Sequence, residues 1–164
     1  IKTLQTLLVY PFIKYIYSPI LQISYVRQFK ELNPYINYVI CSNHVSATDP
    51  FIATIGLGYK NLFKISPLRY MAFNMAGRAL DYLDKEQPVY IFPEGKVVKR
   101  EGEPITYRRG VSVLANRADI NIIPVRFVKL KGSRYTGVRV IVGKPFDGRN
   151  MSPREIMDKV YELK

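Results

Sequence analysis

From about Tyr35 onward, short apolar runs alternate with stretches whose apolar residues recur at helical spacing. The run "INYVIC" (Ile36 to Cys41) is rich in β-branched and aromatic residues and predicts a buried strand. "PFIATIGL" (Pro50 to Leu57) predicts a helix, with Asp49 and Pro50 as N-cap and first-turn pair. Further strands are predicted at "NLFKIS" (Asn61 to Ser66) and "PVYIF" (Pro88 to Phe92). Helical spacing returns at Met75 to Lys85 and at Tyr107 to Ala118, although Gly110 weakens the first turn of the latter. "INIIPVRFVKL" and "TGVRVIVGKPF" read as strands, and Pro124, having no N–H, suits an edge or a bulge in the first of them. "SPREIMDKVYELK" closes the chain as a helix, with Ser152 at the N-cap, Pro153 first, and Glu155 completing a capping box. Alternation of this kind predicts a three-layer α/β/α domain over residues 35–164, built on a mainly parallel or mixed sheet.

The first 34 residues follow a different pattern. "TLLVYPFIKYIYSPILQISYV" is apolar and aromatic, but Lys14 splits it and Pro11 and Pro19 flank the split, so neither half reaches the roughly 20 residues that span a bilayer. Tyr10, Phe12, Tyr15, Tyr17 and Tyr25, with Lys2, Lys14, Arg27 and Lys30, predict an amphipathic helical segment at a membrane interface. A helix pair packed on the core accommodates the same residues. Ile1 in place of an initiating Met leads us to expect residues upstream.

Composition narrows the chemistry. The chain has 164 residues, 48% of them apolar, which suffices for one domain with a real core. A formal net charge of +12 favours anionic partners, whether nucleic acid, phosphorylated metabolites or acidic lipid. One cysteine, Cys41, excludes an intrachain disulfide, and with a single histidine no ordinary zinc site is expected.

That histidine, His44, follows the first buried strand and stands five positions before Asp49. Strand ends are where α/β folds gather their sites. An imidazole can take a proton from a hydroxyl without a metal, and does so best when a carboxylate holds its other nitrogen. A loop turning into a helix at Pro50 would let Asp49 fold back beside His44; equally, Asp49 could be a simple N-cap. Cys41 lies in an apolar strand and reads as a small hydrophobe. A second strand end carries Phe92, Pro93, Glu94 and Gly95, followed by Lys96, Lys99, Arg100, Arg108 and Arg109. Glycine permits close approach of a ligand, and the cations suit a phosphate.

Together these features resemble the 1-acylglycerol-3-phosphate acyltransferase family of glycerolipid acyltransferases. The resemblance rests on Asn43-His44 with Asp49, on Phe92-Pro93-Glu94-Gly95, and on Ile122-Ile123-Pro124-Val125, and it covers the chain from about Asn37. It implies a catalytic His44 oriented by Asp49, and substrate binding by Asn43, Phe92, Pro93, Glu94, Gly95, Lys96 and Arg100, with Pro124 linked to the acyl donor. Backbone N–H groups near Gly95 or after Pro50 would face the oxyanion. The implied reaction passes a fatty acyl group from acyl-CoA or acyl carrier protein, as co-substrate, to a lysophospholipid, foremost lysophosphatidate. No cofactor, metal or nucleic acid is implied; the partners are the two substrates and an anionic membrane surface, with the active site on its cytoplasmic side. Two departures stand out. The family's arginine-bearing element between its histidine and glutamate motifs has no clear counterpart, Arg69 and Arg78 being the nearest, and the short spacing suggests a loop missing between Tyr70 and Met75. After Gly95 the chain has Lys96-Val97 where the family often has Thr-Arg. A non-enzymatic basic module that binds acidic lipid or nucleic acid is the competing expectation, and it needs no His44.

Overall fold

The computed structural model describes residues 11–17, 19, 22–30, 37–49, 52, 53, 57, 76–85, 88–98, 104–117, 120–130 and 137–164. Among them, five strands form one mixed sheet: β1 (Ile23–Arg27), β2 (Asn37–Ser42), β3 (Val89–Ile91), β4 (Ile120–Lys129) and β5 (Val138–Val142), in the order β1-β5-β4-β2-β3. β2 runs parallel to both β3 and β4, β5 runs antiparallel to β4, and β1 pairs in parallel with β5. The helices are α1 (Ala76–Asp84), α2 (Gly110–Ala115) and α3 (Pro153–Tyr161).

Alternation along the strands divides the core between the two faces. Tyr38, Ile40, Ile123, Val125 and Phe127 pack on one side with Ile52, Ala53 and Leu57, which are helical residues following the His44 loop. Val39 and Cys41 point the other way, onto α1 through Ala79 and Leu83, onto α2 through Val111, Leu114 and Ala115, and onto α3 through Ile156, Met157 and Val160. Each such aliphatic side chain contributes about 1.5–3 kcal/mol when fully buried. A one-residue slip of β2 would send both sets to the wrong layer, so the register is held by burial. The expected three-layer α/β/α arrangement is the one found.

α3 carries the predicted capping box: Ser152 Oγ accepts from Glu155 N at 3.2 Å, and Glu155 Oε2 accepts from Ser152 N at 2.7 Å. Other expectations need correction. Within the N-terminal segment expected to be helical, Phe12–Tyr17 is a π-helical turn, but Ile23–Arg27 is a strand of the sheet. Tyr25, expected at an interface, packs against the core, and Arg27 donates to Leu57 O at 3.2 Å. The alternating, β-branched "ISYVR" suits a half-buried strand better than a helix. Of the helix expected from Tyr107 to Ala118, the described residues form Gly110–Ala115, with no side-chain hydrogen bond capping it at Arg109, and Ala118 lies outside the described residues.

Pro124 sits in the central strand rather than at an edge, and the sheet accommodates it by a bulge. Two residues lie between Ile122 and Val125, while three lie between their partners Val142 and Phe146. Pro124 lends its carbonyl to Gly143 N at 2.9 Å, and the missing N–H falls where the ladder is already interrupted. A Cβ on Gly143 would stand 2.8 Å from the Pro124 ring, so the bulge needs glycine there. The strand expected at Asn61 to Ser66, the loop expected between Tyr70 and Met75, and Arg69 lie outside the described residues. No described helix is long and apolar enough to cross a membrane.

Candidate active site

β2 ends at Ser42, and the chain leaves the sheet under close control. Ser42 Oγ bonds the Tyr90 hydroxyl of β3 at 2.7 Å. The buried Asn43 amide spans to β4, donating to Phe127 O at 2.9 Å and accepting from Phe127 N at 2.8 Å. His44 therefore starts from a backbone tied to both neighbouring strands.

Its imidazole is fixed by two contacts. Nδ1 lies 3.0 Å from Asp49 Oδ2, and the ring stacks on Phe92 with centroids 3.9 Å apart. Asp49 is 1% exposed and His44 17%, so the pair is reached from the imidazole side only. Oδ2 also accepts from Val45 N at 2.7 Å and Ser46 N at 2.8 Å. The carboxylate thus reaches back over its own loop, whereas an N-cap would reach forward; Ile52 N donates to Thr48 O instead. Three donors converging on one oxygen anchor it where it can accept an Nδ1–H, which leaves the Nε2 lone pair for a substrate proton.

A second turn, Phe92 to Gly95, closes against this loop. Gly95 N donates to Phe92 O at 3.0 Å with Gly95 at φ 65°, a left-handed conformation that suits glycine. The turn aims Glu94 inward, where it is 5% exposed. Oε2 accepts from the His44 backbone N–H at 2.8 Å, and Oε1 accepts from the Tyr161 hydroxyl of α3 at 2.6 Å. Burial pushes the Glu94 carboxyl above its usual range, opposed by the bonds from Tyr161 and His44. Val98 N donates to His44 O at 2.8 Å, so both backbone polar groups of His44 are bound by the segment after β3.

This constellation stands on a recognisable scaffold. The fold is shared with a 1-acyl-sn-glycerophosphate acyltransferase. The crystal structure of the 1-acyl-sn-glycerophosphate (LPA) acyltransferase PlsC from Thermotoga maritima superposes with a TM-score of 0.64 at 18% identity, over 98% of this chain and 77% of that one. No family model and no curated protein matches the sequence.

On this acyltransferase fold, the residues read from the sequence fall into two sets. His44, Asp49, Phe92, Glu94 and Gly95 come together in one cluster, with Pro93 buried beneath the turn. Lys96 and Gly95 form its exposed side. Asn43 and Glu94 direct their polar atoms at protein partners, which ties both to the placing of the loop. The Gly95 N–H, expected to face an oxyanion, is taken by Phe92 O. Pro124 is buried in β4, where it pairs with Cys41 rather than with the His44 loop. Arg100 and Pro50 lie outside the described residues.

Cys41 is wholly buried and bonds Met157 Sδ at 3.7 Å; burial, reinforced by Glu94, holds its thiol protonated. It is a packing residue. Tyr161 escaped the sequence reading, and Arg108 entered it only as one of a run of cations. A Cβ on Gly95 would run into the Arg108 guanidinium, and Arg108 N donates to Pro93 O at 2.7 Å, so the exposed Arg108 lies against the site turn. The signal for Tyr161 was its place one helical turn after the buried Met157, on the face turned toward the sheet.

Proposed function

We propose that this chain transfers a fatty acyl group from acyl-CoA or acyl carrier protein to the free hydroxyl of 1-acyl-sn-glycerol-3-phosphate, giving phosphatidic acid. The observation that carries the reading is the His44–Asp49 pair at 3.0 Å, set at a strand end in a fold shared with an LPA acyltransferase. In this scheme the acceptor hydroxyl gives its proton to His44 Nε2 while its oxygen attacks the thioester carbonyl. The tetrahedral intermediate collapses, the C–S bond breaks, and the imidazolium returns the proton to the departing thiolate. Asp49 holds the ring and balances its transient charge, and no acyl-enzyme forms. General base action of this kind supplies typically about 10²–10⁴-fold in rate.

Lys96 and Arg108, both exposed at the site turn, suit the acceptor's phosphate. Phe12, Tyr15 and Ile16 are 51–66% exposed on the N-terminal turn, and with the +12 charge they support docking on an anionic membrane surface, on its cytoplasmic side.

The test is thiol release from long-chain acyl-CoA, and from acyl carrier protein, with lysophosphatidate in mixed micelles. Release is expected to require lysophosphatidate and to vanish in His44→Ala without loss of fold. Activity persisting in His44→Ala removes the histidine from the mechanism. Release with glycerol-3-phosphate or another lysophospholipid alone changes the acceptor, and none with any donor leaves a non-catalytic lipid-binding module.

A further inference from the structure

We infer that Tyr161, at the end of α3, is a positioning residue for His44: its hydroxyl holds the Glu94 carboxylate whose other oxygen fixes the His44 backbone. The link runs Tyr161 hydroxyl to Glu94 Oε1 at 2.6 Å, then Glu94 Oε2 to His44 N at 2.8 Å. Both partners of Glu94 are donors, so the buried carboxyl satisfies both when it is ionised. A neutral acid protonated at Oε1 would keep Tyr161 only by reversing that bond, with the hydroxyl as acceptor, and one protonated at Oε2 would weaken the bond from His44 N.

Tyr161 is itself well held. Arg126 of β4 lies over its ring at 5.8 Å and donates to Tyr161 O at 2.6 Å and Leu163 O at 2.7 Å, satisfying carbonyls left open where α3 ends. One turn earlier Met157 meets Cys41 of β2. The C-terminal helix therefore cannot shift without moving the support beneath the imidazole. Remaining holds on His44 are the bond from Val98 N, the Asp49 carboxylate and the Phe92 stack.

Glu94 is faced by Tyr161 from α3, by His44 and Asp49 from the loop after β2, by Cys41 from β2, and by Tyr107 from the segment before α2. Among these, the Tyr161 bond is the largest influence drawing the carboxyl back down against burial. Its removal leaves burial less opposed.

The role of this link in turnover rests on the acyltransferase reading, but the link can be read without turnover. His44 is the only histidine, so protein grown with [15N]histidine gives one backbone amide signal, the one donated to Glu94. Its pH titration should carry a transition above the usual carboxylate range, absent in Glu94→Gln. In Tyr161→Phe, which removes a single oxygen, the midpoint should rise by about one pH unit, the size expected for one lost charge-assisted hydrogen bond. The ring nitrogens, observed in the same spectra, separate titration of the imidazole. An unmoved midpoint in Tyr161→Phe overturns the inference. So does a wild-type amide without a transition that Glu94→Gln removes, which keeps the test decisive even if Tyr161→Phe does not fold. In the acyl-transfer assay, the acid limb of kcat should move up with the same midpoint while KM holds. If the wild-type chain transfers no acyl group, the proposed function fails, and the amide titration still decides the link.

Discussion

His44 and Asp49 stand at the residue scale, where spacing went part of the way. A histidine five positions before an aspartate at a helix start allowed a side-chain pair or a plain N-cap, the family resemblance implied the pair, and the two side chains lie 3.0 Å apart. What spacing could not give was the direction in which Asp49 reaches. A loop carboxylate has several donors within range, and backbone dihedrals choose among them; here they choose Val45 and Ser46 behind it. An asparagine could keep an oxygen at that place and so preserve the loop, while losing the charge that balances the imidazolium. Asp49→Asn is accordingly expected to fold normally and to lose kcat on the order of 10²–10⁴-fold with little change in KM. Steady-state kinetics beside a thermal melt would check this, and near-normal kcat would reduce Asp49 to a loop staple. Asn43 and Glu94 were expected at the substrate because they belong to the motifs that carry the family resemblance. Only the fold reveals that their polar atoms are already engaged by β4, by His44 and by α3.

Among the elements, those with strong local punctuation were legible. α3 announces itself by a serine, a proline and a glutamate at capping-box spacing, and it forms as expected. α2 lacks such signals and is shorter than its apolar spacing suggested. β1 was missed because an apolar, aromatic segment at a chain end fits a strand or an interfacial helix equally well until a partner strand is known. The turn from Phe92 to Gly95 makes a prediction of its own. Gly95 is left-handed, and a side chain there would meet Arg108, so Gly95→Ala should destabilise the fold by about 1–2 kcal/mol from the backbone term alone. Chemical denaturation measures that loss; an unchanged midpoint would mean that the turn relaxes to another conformation at no cost.

For the molecule as a whole, the site costs stability. Burial raises the Glu94 carboxyl above its unfolded value, so between the two values the folded state holds a proton that the unfolded chain has released. This group's favourable contribution is fully present below the unfolded value and is lost as pH rises through the folded one. Glu94→Gln cannot ionise, so its unfolding free energy relative to wild type should climb from pH 4 to pH 7, even as acyl transfer falls. Denaturation curves at both pH values decide it, and a flat or falling difference would contradict the assignment of Glu94 as a buried acid held against its preference.

The layered α/β class, the two strand ends whose loops meet at the candidate site, the placing of His44 and Asp49 between a strand and a helix, and the capped final helix are legible in the order of the amino acids. These are encoded in short-range periodicity, caps and motif spacing, which act within a few residues. The tertiary structure alone decided the strand order, the bulge that seats Pro124 in the central strand, the place of β1 at the sheet edge, and the bond from Tyr161 to Glu94. Each joins residues far apart in the chain; Tyr161 and Glu94 are separated by 67 positions. Such pairings follow from how the faces of the sheet and helices bury one another, which no local pattern specifies.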